Sequence, residues 1–171
     1  MAKPNRIFLI GPMGAGKTTI GKQLAQSLGM TFSDSDQEIQ RRTGVDIPTI
    51  FAYEGEEGFR VREQQVIDDL TQIDNQVLAT GGGAVLRSEN RQHLASRGIV
   101  FFLECSPRQQ YERTHRDRNR PLLQTDEPLQ RLEELMQVRE PLYRSTADYT
   151  VSTEGRGAVA VANEILDILR G

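Results

Sequence analysis

The run Gly11-Pro12-Met13-Gly14-Ala15-Gly16-Lys17-Thr18 constrains this chain more than any other stretch of it. It satisfies G-x-x-x-x-G-K-[ST], which a chain of this composition matches by chance only about 0.003 times. Its flanks fit the motif physically. Ile7-Phe8-Leu9-Ile10 is a short, continuously apolar run that predicts a buried strand. On the other side Ile20, Leu24 and Leu28 recur at helical spacing from about Lys17, and Gly29 supplies a stop. A strand that turns through glycines into a helix gathers several backbone N–H groups without Cβ clashes, at the positive end of the helix dipole. Such a turn holds phosphate oxygens. Lys17 is then placed to reach the outer phosphates of a nucleoside triphosphate. The Thr18 hydroxyl is placed to ligate the Mg²⁺ that travels with them.

The remaining pattern says what kind of sheet carries this turn. Further strands are expected at 31–33, 76–80, 99–103 and 149–152. Helical spacing occupies 37–42, 48–53, about 56–70, 88–96, 107–116, about 127–143 and 158–169. The strands are continuous apolar runs and do not alternate with polar residues, as expected for a parallel sheet covered on both faces. The prediction is a three-layer α/β fold of about five strands. With 171 residues and no internal repeat or long linker, residues 1–171 are expected to form one domain.

Composition removes several function classes. Twenty-one Lys plus Arg against 24 Asp plus Glu give a net charge of −3, against the basic surplus a general nucleic-acid binder needs. The longest apolar runs fall far short of the ~20 residues that span a bilayer. The single cysteine, Cys105, cannot form an intrachain disulfide, so a reducing, cytoplasmic setting is expected. No exposed apolar stripe stands out, so a monomer is expected. Of the 21 basic residues 18 are Arg. Most of these are ordinary solvated charges, but an Arg-rich acidic chain also suits small anionic ligands, because guanidinium grips oxygens in pairs.

A phosphate cradle leaves the phosphoryl acceptor open. The sequence lacks the [NT]KxD element by which switch GTPases read guanine. The apolar run Val77-Leu78-Ala79-Thr80 ends in Gly81-Gly82-Gly83, not in the acidic residues of a motor ATPase. A small-molecule acceptor follows. Asp34-Ser35-Asp36 comes at the end of the second expected strand, where α/β sheets place ligands. On an extended segment these two carboxylates project to the same side, one toward a metal-bound water and the other toward an acceptor hydroxyl. Local pattern equally allows Asp36 to be a helix cap. Three consecutive glycines at a strand end sacrifice chain entropy, which makes sense where backbone approaches a ligand. Arg113, Arg116, Arg118 and Arg120, closed by Pro121-Leu122-Leu123, form either an Arg-rich flap over the phosphates or a solvated basic loop.

In order along the chain these elements resemble the shikimate kinase family. The resemblance rests on the glycine-rich turn at 11–18, Asp34-Ser35-Asp36, Gly58-Phe59-Arg60, Gly81-Gly82-Gly83-Ala84-Val85, Arg120-Pro121-Leu122-Leu123, and Arg139 before Pro141-Leu142-Tyr143. It implies a nucleoside-monophosphate-kinase-like P-loop fold with parallel strand order 2-3-1-4-5, an acceptor-binding region at about 34–62 and a mobile lid at about 113–126. It also implies transfer of the γ-phosphoryl group of ATP to the 3-hydroxyl of shikimate, on the route to chorismate and aromatic amino acids, with Mg²⁺ as cofactor. By position, Lys17, Asp36 and Arg120 take the catalytic roles. Gly14, Ala15, Gly16, Lys17, Thr18, Thr19, Arg113, Arg120 and Arg156 take the ATP contacts. Asp36, Arg60, Gly82 and Arg139 take the acceptor, and Thr18, with Asp34 through water, takes the metal. Phe51 and Phe59 are either pocket walls or core. His93, His115 and Cys105 match nothing catalytic.

Two other readings share the glycine-rich turn. One is a kinase for gluconate or a nucleoside monophosphate, which would not require the Gly58-Phe59-Arg60, triple-glycine and Arg139 set together. The other is a non-catalytic ATP-binding module, which has no need of the full charge set of Lys17, Thr18, Asp36 and Arg120. Turnover by the purified protein, acceptor by acceptor, separates all three.

Overall fold

The computed structural model describes residues 5–115 and 125–171. Its centre is β1, Arg6–Ile10, in which Ile7 through Ile10 are all 0% exposed. Full burial of each such side chain contributes about 1.5–3 kcal/mol. β1 runs parallel to β3 (Gln76–Ala79) on one side and to β4 (Ile99–Glu104) on the other. The edges are β2 (Thr31–Asp34) beside β3 and β5 (Tyr149–Ser152) beside β4. The order β2-β3-β1-β4-β5 is the expected one.

Alternate strand residues feed two cores. Ile7, Leu9, Val77, Phe101 and Leu103 pack with Ile20 and Leu24 of α1 (Lys17–Leu28) and Val161 and Ile165 of α7 (Ala158–Arg170). Phe8, Ile10, Leu78, Val100 and Phe102 pack on the other face. There they meet Ile39 of α2 (Ser35–Thr43), Ile50, Phe59 and Val66 of α3 (Ile47–Leu70), Leu94 of α4 (Ser88–Arg97) and Tyr143 of α6 (Pro128–Thr146). Apolar contact on both faces is why these strands read as unbroken hydrophobic runs. α5 (Pro107–Thr114) follows β4, capped by the Ser106 side chain, which accepts from Gln109 N.

Two local features position the site. Gly55 breaks α3 with φ 73° and ψ 179°, so 48–53 and 56–70 are separate helical runs joined at a kink only glycine accommodates easily. The expected extended geometry across Asp34-Ser35-Asp36 is not what forms. β2 ends at Asp34, whose side chain caps α2, and Asp36 already lies in that helix's first turn. The cap is therefore Asp34 and not Asp36. A carboxylate accepting two N–H groups at a helix start is more favourable than two further extended residues at a sheet edge.

Candidate active site

A cleft of about 470 Å³ opens at the carboxyl ends of β1, β2 and β3. Gly14, Gly16, Lys17, Thr18, Thr19, Asp34, Asp36, Gly82 and Arg113 line it, with Met13, Gln37, Gln40, Thr80, Gly81 and Thr114. Ala15 is buried beneath the turn in the core. Gly11, Gly14 and Gly16 have φ of 145°, 83° and 87°, values that side chains rarely tolerate. A Cβ on Gly11 would also lie 2.5 Å from the Leu103 carbonyl oxygen, so the glycine is required for packing as well as conformation. Lys17 is nearly buried, and its Nζ donates to the carbonyls of Gly11 at 2.6 Å and Pro12 at 2.8 Å. The ammonium is thereby held within the curve of the turn.

Thr18 Oγ1 donates to Asp34 Oδ2 at 2.7 Å, while Asp34 Oδ1 accepts from the N–H groups of Asp36 and Gln37 at 2.9 and 3.1 Å. One carboxylate thus ties the first turn of α1 to the first turn of α2 and presents hard oxygen ligands beside the phosphate cradle. Arg113 braces the opposite wall, donating to the Gly14 carbonyl at 2.8 Å and the Thr153 carbonyl at 3.0 Å. Arg156 turns away from the cleft. It donates to the Ser152 and Ala160 carbonyls and pairs with Glu164 at 2.7 Å. Arg116, Arg118, Arg120, Pro121, Leu122 and Leu123 lie outside the described residues, as does most of the expected lid.

The residues expected to take the acceptor gather around Gly81-Gly82-Gly83. A Cβ on Gly81 would lie 2.7 Å from Asp36 Oδ1 and 3.1 Å from Glu63 Oε2. One on Gly82 would lie 3.5 Å from Arg139 Nη1, and one on Gly83 only 2.4 Å from Arg60 Nη2. The triplet is therefore the space into which two carboxylates and two guanidiniums fit. Arg60 and Arg139 are 7% and 4% exposed, although they come from α3 and α6. Arg60 Nη1 donates to Glu63 Oε1 at 2.9 Å, and Nη2 to Glu56 at 3.3 Å. Burial works against the Arg60 charge, but the two carboxylates outweigh it and hold the group firmly protonated. Arg139 differs, because burial lowers its pKa and the nearby Arg60 charge adds to that. Among the described residues no carboxylate forms an ion pair with it, which leaves a buried cation suited to an anion from outside.

Glu63 was absent from the residues singled out in the sequence. It is 1% exposed, and burial pushes its carboxyl up to about 7, with Arg60 opposing and Asp36 reinforcing the shift. The available signal was spacing. Position 63 falls on the face defined by Phe59, Val66, Ile67 and Leu70, three residues after Arg60. The Phe51 and Phe59 rings meet at a tilt of 37°, centroids 5.0 Å apart, within or against the core, so packing accounts for both.

The model of the shikimate kinase family matches residues 13–170 of this chain. The chain belongs to the shikimate kinase family. A shikimate kinase of Methylococcus capsulatus is 60% identical over 98% of this chain and 93% of the relative. One of Pasteurella multocida is 55% identical over 99% and 97%. Among solved structures, the Acinetobacter baumannii shikimate kinase in complex with shikimate superposes with a TM-score of 0.96 at 50% identity, covering 98% of this chain and 93% of that one. Membership of the shikimate kinase family makes this chain a kinase with an alcohol acceptor and disfavours the gluconate, nucleotide-acceptor and silent-module readings.

Proposed function

We propose that this protein transfers the γ-phosphoryl group of ATP to the 3-hydroxyl of shikimate, giving shikimate 3-phosphate and ADP. The observation that carries the reading is the pair of buried guanidiniums, Arg60 and Arg139, converging on adjacent glycines beside the phosphate cradle. A small hydroxylated carboxylate satisfies both halves of that arrangement. Its carboxylate meets the two arginines, Arg139 above all, and its hydroxyls meet Asp36 and the Gly82 backbone.

In this reading the turn around Gly14, Gly16 and Thr19 holds the triphosphate by backbone N–H groups, and Lys17 leaves the Gly11 and Pro12 carbonyls to meet the transferring phosphoryl group. Asp36 orients the acceptor hydroxyl. Its oxygen attacks the γ-phosphorus as the bond to the ADP oxygen breaks, and the hydroxyl proton passes to Asp36 and then to solvent. The family resemblance assigns Arg120 to the phosphates as well. Arg156 can join the nucleotide only by giving up its pair with Glu164. Thr18 and Asp34 fit Mg²⁺, since both present hard oxygens at the cradle and hydrogen-bond each other at 2.7 Å. When bound, the ion neutralises charge developing on the phosphate oxygens. Among the described residues no cluster of three or more His, Cys, Asp and Glu is placed to hold a metal.

We also read the enzyme as a single-domain cytoplasmic monomer acting on two small molecules, without a nucleic-acid or membrane partner. The net charge of −3 supports this, and no helix among the described residues is long and apolar enough to cross a membrane. The test is a coupled ADP-release assay with MgATP and shikimate, gluconate or AMP in parallel. Rapid release with shikimate alone is expected. Equal or faster release with gluconate or AMP would overturn the roles given to Arg60, Gly82 and Arg139.

A further inference from the structure

Tyr143 lies one helical turn after Arg139 on α6, and its ring is fully buried against Phe102 of β4, with centroids 5.0 Å apart. Packing accounts for the ring and leaves the hydroxyl to be explained. That hydroxyl donates to the Gly82 carbonyl at 2.5 Å, a contact between residues 61 apart in sequence. Burial pushes its pKa up to about 12, with the Arg139 charge opposing that shift, which keeps it a donor throughout the working range.

The other two carbonyls of the glycine triplet are held from within the following turn. Gly81 O accepts from Ala84 N and Gly83 O from Leu86 N, each at 3.1 Å. Gly82 O is held instead by a side chain from another element. A peptide plane is rigid, so fixing this oxygen fixes the direction of the Gly83 N–H on its far side. Gly82–Gly83 is the central peptide of the 81–84 turn, which glycines allow to flip between turn types, and the Tyr143 bond selects one orientation. Arg139 converges on the same residue, since a Cβ on Gly82 would lie 3.5 Å from Arg139 Nη1. One hydroxyl therefore holds the backbone at the point where the guanidinium assigned to the acceptor arrives.

We infer that Tyr143 is a positioning residue for the acceptor, its hydroxyl setting the Gly82–Gly83 peptide beside the Arg139 guanidinium. The inference rests on the acceptor reading given above, and wild-type turnover of shikimate tests that reading separately. Tyr143→Phe keeps the ring on Phe102 and removes only the donor, leaving a buried carbonyl without its partner. It should raise KM for shikimate roughly tenfold or more while leaving KM for ATP within about twofold. Leu132→Ala, a buried truncation elsewhere on α6, serves as the stability control. It should lower Tm and leave both KM values in place. Unchanged KM for shikimate in Tyr143→Phe, an equal rise for both substrates, or the same shikimate-selective rise in Leu132→Ala would each overturn the inference. Should Tyr143→Phe fail to fold, Phe102→Leu loosens the ring that aims the hydroxyl. That variant must then raise KM for shikimate more than KM for ATP, and equal or absent effects count against the role.

Discussion

The two halves of the cleft solve the problem of holding an anion by different means. The nucleotide half is made of backbone: eight consecutive residues, three glycines at positive φ, and a helix N-terminus. The acceptor half is made of side chains drawn from α2, α3 and α6 around a glycine triplet, with Arg60, Glu63 and Arg139 all under a tenth exposed. N–H groups offer partial charge at no desolvation cost beyond that of the fold itself. Buried guanidiniums and carboxylates cost folding energy unless paired. The first design, under the proposed function, reads phosphate oxygens and not what carries them. The second, under the same proposal, makes choice of acceptor depend on whether a ligand completes a charge set left incomplete.

That contrast breaks most visibly at Asp36. Asp36→Asn should lower kcat by roughly 10²–10⁴-fold with circular dichroism unchanged, because the acceptor hydroxyl loses its proton acceptor while the phosphate cradle stays intact. A loss in ATP affinity of similar size would mean the two halves are not separable. Next comes Arg139→Ala, expected to raise KM for shikimate about 10–100-fold and KM for ATP little, read by steady-state kinetics with each substrate varied. Gly83→Ala follows, since its Cβ would fall 2.4 Å from Arg60 Nη2 and force that guanidinium to move. A roughly tenfold weakening of shikimate binding by calorimetry is expected, with ADP binding kept.

The last expectation concerns stability, through Glu63 and its titration. Its folded pKa of about 7 lies above the ordinary 4.5, so between those values the unfolded chain releases a proton that the folded chain retains. The stability this group contributes is full below about pH 4.5 and is lost as pH rises through about 7. Glu63→Gln does not titrate. Wild-type Tm measured from pH 5 to 8 should therefore fall relative to that of the variant, and parallel curves would show that Glu63 does not hold a proton near neutrality.

The same contrast decides which parts of the molecule are legible in its sequence. Gly11 to Thr18 act through backbone and are contiguous, so a linear motif carries them. The glycine triplet is legible for the same reason, because missing side chains are visible in a sequence. Most strands and helices followed from unbroken apolar runs and helical spacing, whereas the strand order came from the family resemblance. Glu63 was missed because Arg60-Val61-Arg62-Glu63 reads like any solvated run of charges, and only its register with Phe59 and Val66 marks it as buried. Tyr143 stood out only as part of a motif, since its ring is an ordinary core residue and its hydroxyl acts across 61 positions. The caps at Asp34 and Asp36 were exchanged because strand length is set by pairing with β3, which ends its register at Ala79.

Lysine is scarce in this protein, at Lys3, Lys17 and Lys22, and Lys17 donates to two carbonyls of the loop it closes. Amine-directed reagents therefore meet few competing targets, and an acyl group on Lys17 is readable as one mass shift on one peptide. The rate at which that shift accumulates, with and without nucleotide, is a direct clock for how often the ammonium leaves its carbonyls.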